Sequence, residues 1–236
     1  MLSRSQEKLL RKLTAKKQRW QQELFIAEGR KVIRELLEAG LKPHFLMAEA
    51  DKGWHRYGAI EVAPAYLSQW SQLEHSDEVL GVFPFPESMN PSGKRVLVLD
   101  QIRDPGNMGT LLRTADWFGV HQIYCTLGCV DAYNSKAVQS SMGSIARVQL
   151  TYAPADDLLQ RLNGHQLLCA DAAGRPYREV RPSKKMALVL GNESHGPAEI
   201  WRAHAESKHT RAEGSITESL NVAVAGAILM AAWSNE

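Results

Sequence analysis

Arg95-Val96-Leu97-Val98-Leu99-Asp100 is apolar at every position between its charged ends. The turn residues Arg103-Asp104-Pro105-Gly106-Asn107 follow it. A helical stretch from Met108 to Phe118 comes next, stopped by Gly119. A short run without alternation suits a strand buried on both faces of a parallel sheet. The same succession repeats toward the C-terminus. Gln122–Thr126, Gln166–Ala170 and Met186–Leu190 read as strands. Asn134–Ser140, Ala155–Asn163, Pro197–Ala203 and Ser219–Trp233 read as helices. Strand then helix, repeated, predicts an α/β fold: a mostly parallel sheet with helices on both faces. Ligands of such sheets sit outside the carboxyl ends of the strands, which singles out the loops there.

Upstream, residues 84–93 (PFPESMNPSG) are rich in Pro, Ser, Asn and Gly and read as a linker between residues 1–83 and 94–236. The first part opens with a polar, basic helix over Ser5–Trp20. After Phe25-Ile26-Ala27-Glu28-Gly29, a second helix over Arg30–Ala39 carries Val32, Ile33, Leu36 and Leu37 at helical spacing, and Gly40 stops it. His44–Ala48, Ile60–Ala63 and Val79–Phe83 read as short strands, with a helix over Pro64–Leu73. This is a second, smaller α/β module.

Composition narrows the function classes. The chain has 236 residues, 44% hydrophobic and 23% charged, which supports a real core. No apolar run approaches the roughly 20 residues of a membrane span, and the N-terminus does not read as a signal peptide. Cys125, Cys129 and Cys169 form neither a disulfide framework nor a zinc pattern, so no metal is expected and a cytoplasmic location is the simplest reading. The net charge of +2 hides an uneven spread, because Lys12, Lys16, Lys17, Arg19, Arg30 and their neighbours crowd the beginning. Such a segment suits RNA, or equally a solvated helix face.

Three segments fall at strand ends or open the last helix. In the first, Asn107 sits where an N-cap belongs, Gly109 permits close approach, and Arg113 lies six residues on, so that both polar side chains could face one crevice. A plain cap and a surface arginine would also account for it. In the second, the strand Leu188-Val189-Leu190 runs into Gly191-Asn192-Glu193-Ser194-His195-Gly196, and Pro197 starts a helix. This loop is not a phosphate loop and lacks the GxGxxG fingerprint, which argues against a nicotinamide-dependent oxidoreductase. The third, Ser219-Leu220-Asn221-Val222-Ala223-Val224-Ala225, begins a helix rich in small residues, with Ser219 as its cap.

Together the three segments resemble the SpoU, or TrmH-like, family of RNA ribose 2′-O-methyltransferases in the SPOUT superfamily. Asn107, Gly109, Arg113, Ala115, Phe118 and Gly119 match the first family motif, Leu190 to Gly196 the second, and Ser219 to Ala225 the third, in order and at the right spacing. Phe25-Ile26-Ala27-Glu28-Gly29-Arg30-Lys31 resembles the L30e-like, RNA-binding domain that many members carry. The resemblance implies a deep trefoil knot in 94–236, a homodimer, and S-adenosylmethionine as methyl donor. It implies catalytic roles for Asn107, Arg113, Glu193, Ser219 and Asn221. Cofactor contacts fall to Leu190, Gly191, Asn192, Gly196, Ile216 and Leu220. RNA contacts fall to Lys12, Lys16, Lys17, Arg19, Glu28 and Arg30.

The separate N-terminal domain favours ribosomal RNA as substrate, the alternatives being transfer RNA or a non-catalytic assembly role. The chain departs from the family at His209–Ile216, where many members carry an Ile-Pro-Met-like stretch beside the adenine. It also ends Ala231-Ala232-Trp233 rather than on an aliphatic, aromatic and acidic residue. Arg113 is commonly cast as the family's general base. A guanidinium resists deprotonation, which favours instead a role in holding a phosphate or a developing alkoxide.

Overall fold

A computed structural model describes residues 1–73, 77–87, 93–179, 183–210 and 216–233. Contacts divide the chain into two compact units, residues 1–87 with 131–147, and residues 88–130 with 148–236. The elements in chain order are α1 (Arg4–Leu13), α2 (Lys16–Gln22), β1 (Leu24–Glu28), α3 (Arg30–Glu38), β2 (Phe45–Glu49), β3 (Ile60–Val62), α4 (Pro64–Ser68) and β4 (Val79–Pro84). Then come β5 (Arg95–Leu99), α5 (Pro105–Trp117), β6 (Gln122–Thr126), α6 (Ser135–Ser141), β7 (Gln149–Ala153), α7 (Ala155–Arg161) and β8 (Gln166–Pro176). The chain closes with β9 (Met186–Leu190), α8 (Glu199–Arg202), β10 (Glu206–His209) and α9 (Val222–Trp233).

In the first unit the sheet order is β1-β4-β2-β3, with β2 and β3 parallel and the other pairs antiparallel. Leu10 and Leu13 of α1 and Leu67 of α4 pack with Ile26, Phe45, Met47, Leu80 and Val82 in one buried cluster. The single basic helix expected over Ser5–Trp20 is two helices. The break is stabilised by Arg19, whose Nη1 donates to the carbonyls of Leu13 and Thr14 at 2.8 Å each and so satisfies the end of α1. The same guanidinium donates to Asp131 Oδ2 through Nε at 2.8 Å and Nη2 at 2.6 Å, and both partners are buried. Residues 131–147, which the division at the linker had left with the rest of the chain, thus belong with the first unit. Tyr133 stacks on Phe85 at 3.6 Å and lies 5.5 Å from Phe25.

In the second unit every strand pairing is parallel, in the order β10-β8-β9-β5-β6-β7. The central strands β5 and β9 run in step from Arg95↔Met186 to Leu99↔Leu190, and each is apolar on both sides because each face is covered. Val96, Val98, Ala187 and Val189 pack with Leu158 of α7 and Trp201 of α8. Leu190 points the other way, toward α9 and α5. A Cβ on Gly226 would lie 2.7 Å from Leu190 Cδ1 and 2.9 Å from Leu111 Cδ2, so glycine is what lets α9 approach this closely. Strands β7 and β10 were not expected. The first mixes polar and apolar residues (QLTYA) and the second is nearly all polar (ESKH), so neither carries a buried-strand pattern.

Candidate functional site

The carboxyl ends of β8, β9 and β10 and the approach to α9 enclose a cleft of about 480 Å³. Its walls are the loop Gly191–Gly196, the β8 residues Ala170–Ala172, Lys208–Thr210, and Thr217–Leu220. Val222, Ala225 and Leu229 of α9 supply the apolar side.

The loop after β9 is bound at several points. Asn192 Nδ2 donates to the Gln101 carbonyl at 3.0 Å, and Asn192 Oδ1 accepts from the Ser194 amide at 2.9 Å. The Gly196 amide returns to the Asn192 carbonyl at 2.8 Å. Gly196 has φ +67°, and a Cβ on Gly191 would collide with the Gly196 and Pro197 backbone, so both glycines are needed for the loop to close on itself. Three residues that the sequence did not single out complete the frame. Asp100, buried at the end of β5, accepts from the Ala198 amide at 2.8 Å and from Thr126 Oγ1 at 3.1 Å. Arg202 donates to Asp171 Oδ2 at 2.9 Å and to the His195 carbonyl at 3.1 Å, tying the loop to β8. The one available signal was a carboxylate closing the apolar run at Asp100. Asp171 and Arg202 meet only through the fold.

Asn107, Glu193 and Asn221 form one hydrogen-bonded chain. Asn221 Nδ2 donates to Asn107 Oδ1 at 3.0 Å, and Asn107 Nδ2 donates to Glu193 Oε1 at 2.9 Å. Both asparagines differ from expectation in their local role. Asp104 caps α5 by accepting from the Asn107 amide at 2.8 Å, and Pro105 opens the helix, so Asn107 already lies inside the first turn. Asn221, rather than Ser219, caps α9, accepting from the Ala223 and Val224 amides at 2.9 and 3.3 Å. Ser219 and Leu220 precede the helix and line the cleft.

Other expected residues are placed apart from the cleft. Arg113 is exposed and does not line it, since six helical residues turn its side chain about 120° away from Asn107. Among the described residues the Arg113 side chain has no ion pair or hydrogen bond. Ile216 is 97% exposed and lies outside the cleft wall. The Leu190 side chain is buried, and its carbonyl accepts from the Asp100 amide at 2.8 Å. Of the altered stretch, His209 and Thr210 line the cleft, whereas residues 211–215 lie outside the described residues. Cys169 is buried, and burial, with Asp171 adding, pushes its thiol up to about 12, so it offers no thiolate here.

In the first unit Lys12, Lys16, Lys17 and Arg30 are exposed. Arg19 and Glu28 are not: Arg19 is committed to Asp131 and the end of α1, and Glu28 accepts from Ser71 Oγ at 2.6 Å and the Gln72 amide at 2.9 Å. Phe25 and Trp54 are core residues, while Trp20 is 38% exposed.

The cleft can hold an adenosyl cofactor. Its volume is that of a small-molecule site. It offers an apolar helix face opposite a glycine loop, with the Glu193 carboxylate in its wall. Among the described residues no cluster of three or more His, Cys, Asp or Glu could hold a metal ion, and no helix is long and apolar enough to cross a membrane.

Comparison with known proteins agrees with this geometry. The SpoU rRNA methylase family matches residues 94–231, the region of all three motifs. The chain belongs to that family. Residues 5–81 match the MRM3-like substrate-binding domain. The 23S rRNA (guanosine(2553)-2′-O)-methyltransferase RlmP of Bacillus subtilis is 30% identical, over 93% of this chain and 92% of that one. A TrmH-family structure from Porphyromonas gingivalis superposes with a TM-score of 0.85 at 32% identity, covering 99% of this chain and 98% of the other. An AdoMet-bound rRNA methyltransferase from Sinorhizobium meliloti superposes with a TM-score of 0.82 at 30% identity, covering 98% and 94%.

Proposed function

We propose that this SpoU-family protein methylates a ribose 2′-hydroxyl of ribosomal RNA at the cleft above β8, β9 and β10. It is an RNA methyltransferase that uses S-adenosylmethionine. The observation that carries the reading is the Asn221–Asn107–Glu193 chain, which joins the three motifs and ends on a carboxylate in the cleft wall.

When bound, S-adenosylmethionine supplies an electrophilic sulfonium methyl. The backbone of Gly191–Gly196, with Leu190, Asn192 and Leu220, would hold the cofactor in the cleft. The ribose hydroxyl is a poor nucleophile, so positioning supplies much of the rate. Asn107 and Asn221 fix one oxygen of Glu193 and leave Oε2 to accept a hydrogen bond from the ribose. Ser219, also in the cleft wall, would add a hydroxyl. Arg113 works at the cleft of a second copy, where its fork stabilises the developing alkoxide or an adjacent phosphate. The homodimer this requires is supported by Trp117, which is 84% exposed one helical turn from Arg113, and by Val224, 49% exposed at the start of α9. The 94–236 region forms the trefoil knot of the family. The first unit holds an L30e-like domain, which grips RNA phosphates through Lys12, Lys16, Lys17 and Arg30. The substrate is rRNA in the cytoplasm.

The test is transfer of labelled methyl from S-adenosylmethionine to unmodified rRNA and, separately, to transfer RNA, with Arg113→Ala alongside. Label at a ribose of rRNA, lost in the variant, is the expected result. Label confined to transfer RNA would overturn the substrate class. Full single-turnover activity of Arg113→Ala would overturn its role. Arg113→Lys separates this role from that of a general base, because an amine could act as a base but lacks the bidentate fork.

A further inference from the structure

Between β2 and β3, Gly53-Trp54-His55-Arg56-Tyr57-Gly58 forms a single 3₁₀ turn flanked by two glycines in the left-handed region, at φ +78° and +72°. Trp54 is buried and anchored, its Nε1 donating to Glu78 Oε1 at 3.0 Å. Tyr57 lies on it with ring centroids 5.7 Å apart, yet stays 42% exposed. The guanidinium of Arg34 stands 5.7 Å from the Trp54 ring, and that of Arg56 stands 5.0 Å from the Tyr57 ring. Each ring of the pair thus has a guanidinium over it, and Lys52 and His55 are exposed in the same segment. Arg34, Arg56 and Lys52 form no ion pair with an acidic side chain among the described residues.

We infer that this turn is a stacking site for an unpaired base of the RNA substrate. Arginine and aromatic planes are the surfaces on which splayed-out bases stack, and the cations beside them suit the flanking phosphates. A paired duplex offers no free base face, so the site selects single-stranded RNA. A purely structural role needs Trp54 but does not need an exposed tyrosine ringed by unpaired cations. The inference rests on the reading of the first unit as the substrate-binding part, and adds to it a stacking contact apart from the basic helices.

The experiment measures binding of an oligoadenylate strand and of an RNA duplex of equal length to the full chain, for wild type, Tyr57→Ala and Arg56→Ala. Thermal melting verifies that these exposed substitutions leave the fold intact. Tyr57→Ala is expected to weaken oligoadenylate binding roughly tenfold and to leave duplex binding within about twofold. Arg56→Ala should weaken oligoadenylate in the same way. Affinities of both variants within twofold of wild type on oligoadenylate would overturn the stacking site while leaving the substrate-binding reading in place. So would equal losses on strand and duplex. A wild-type protein that binds neither RNA would overturn the two together.

Discussion

Replacing Asn107 by alanine removes both links of the chain that ends on Glu193. The bond to the Glu193 carboxylate at 2.9 Å is charge-assisted, and the bond from Asn221 at 3.0 Å is neutral. A hydrogen bond to a charged group contributes about 1.5–3 kcal/mol where water is excluded, and a neutral one about 1 kcal/mol. In the free protein Glu193 and Asn221 are exposed, so water replaces the lost partners and the folding cost should stay under about 1 kcal/mol. With cofactor and ribose in place the carboxylate must already be aimed, and the charge-assisted value applies. A loss of about 1.5–3 kcal/mol in the transition state is roughly a 10- to 150-fold fall in rate. Single-turnover methyl transfer, cofactor affinity by calorimetry and thermal melting should therefore part company. The rate falls by one to two orders of magnitude while affinity and melting temperature barely move. Combining Asn107→Ala with Glu193→Gln should add little beyond either change alone, because the two side chains act as one unit. Rates within threefold of wild type, or fully additive losses, would refute the idea that the chain works by orienting Glu193.

Two further outcomes follow from other parts of the molecule. Gly191→Ala places a Cβ inside the Gly196 and Pro197 backbone, which cannot rotate aside as a side chain could. The variant should lose about 2 kcal/mol or more of stability in denaturant titration and bind S-adenosylmethionine more weakly. Burial holds the Glu28 carboxyl above its ordinary value, against the hydrogen bonds from Ser71, Gln72 and Leu73 that favour the charged form. The unfolded chain then releases this proton at lower pH than the folded one. Stability contributed at Glu28 is therefore lost as pH rises from the ordinary carboxylate value to the raised one, and is level above it. Urea titrations of Glu28→Gln should show its stability relative to wild type rising across that window.

How much of this could be read from residues alone depended on whether the signal was local. The apolar runs of β5 and β9 announce a parallel sheet because both of their faces are covered, and that requirement is written at every position. Strand β10 pairs with β8 through a register shift between Ser207 and Lys208, and its polar residues carry no such mark. The three motifs were legible as a set, and their convergence at one cleft edge follows from the strand order. The capping roles were not, because Asp104 and Asn107 are both good caps three residues apart and only Pro105 tips the choice toward the earlier start. Charge misled at Arg19 and Glu28. Both sit among residues of an RNA-binding type, and only their own burial and their partners, Asp131 and Ser71, show them to be structural.

The pairing of Arg19 with Asp131 also bears on how portable the N-terminal part is. A fragment ending at residue 87 would lose the carboxylate that neutralises Arg19, and with it part of the cover that buries the guanidinium. It would also bare the Phe25 and Phe85 rings that Tyr133 covers. The module therefore cannot be lifted off as a cassette or fused to another enzyme by cutting at the proline-rich stretch.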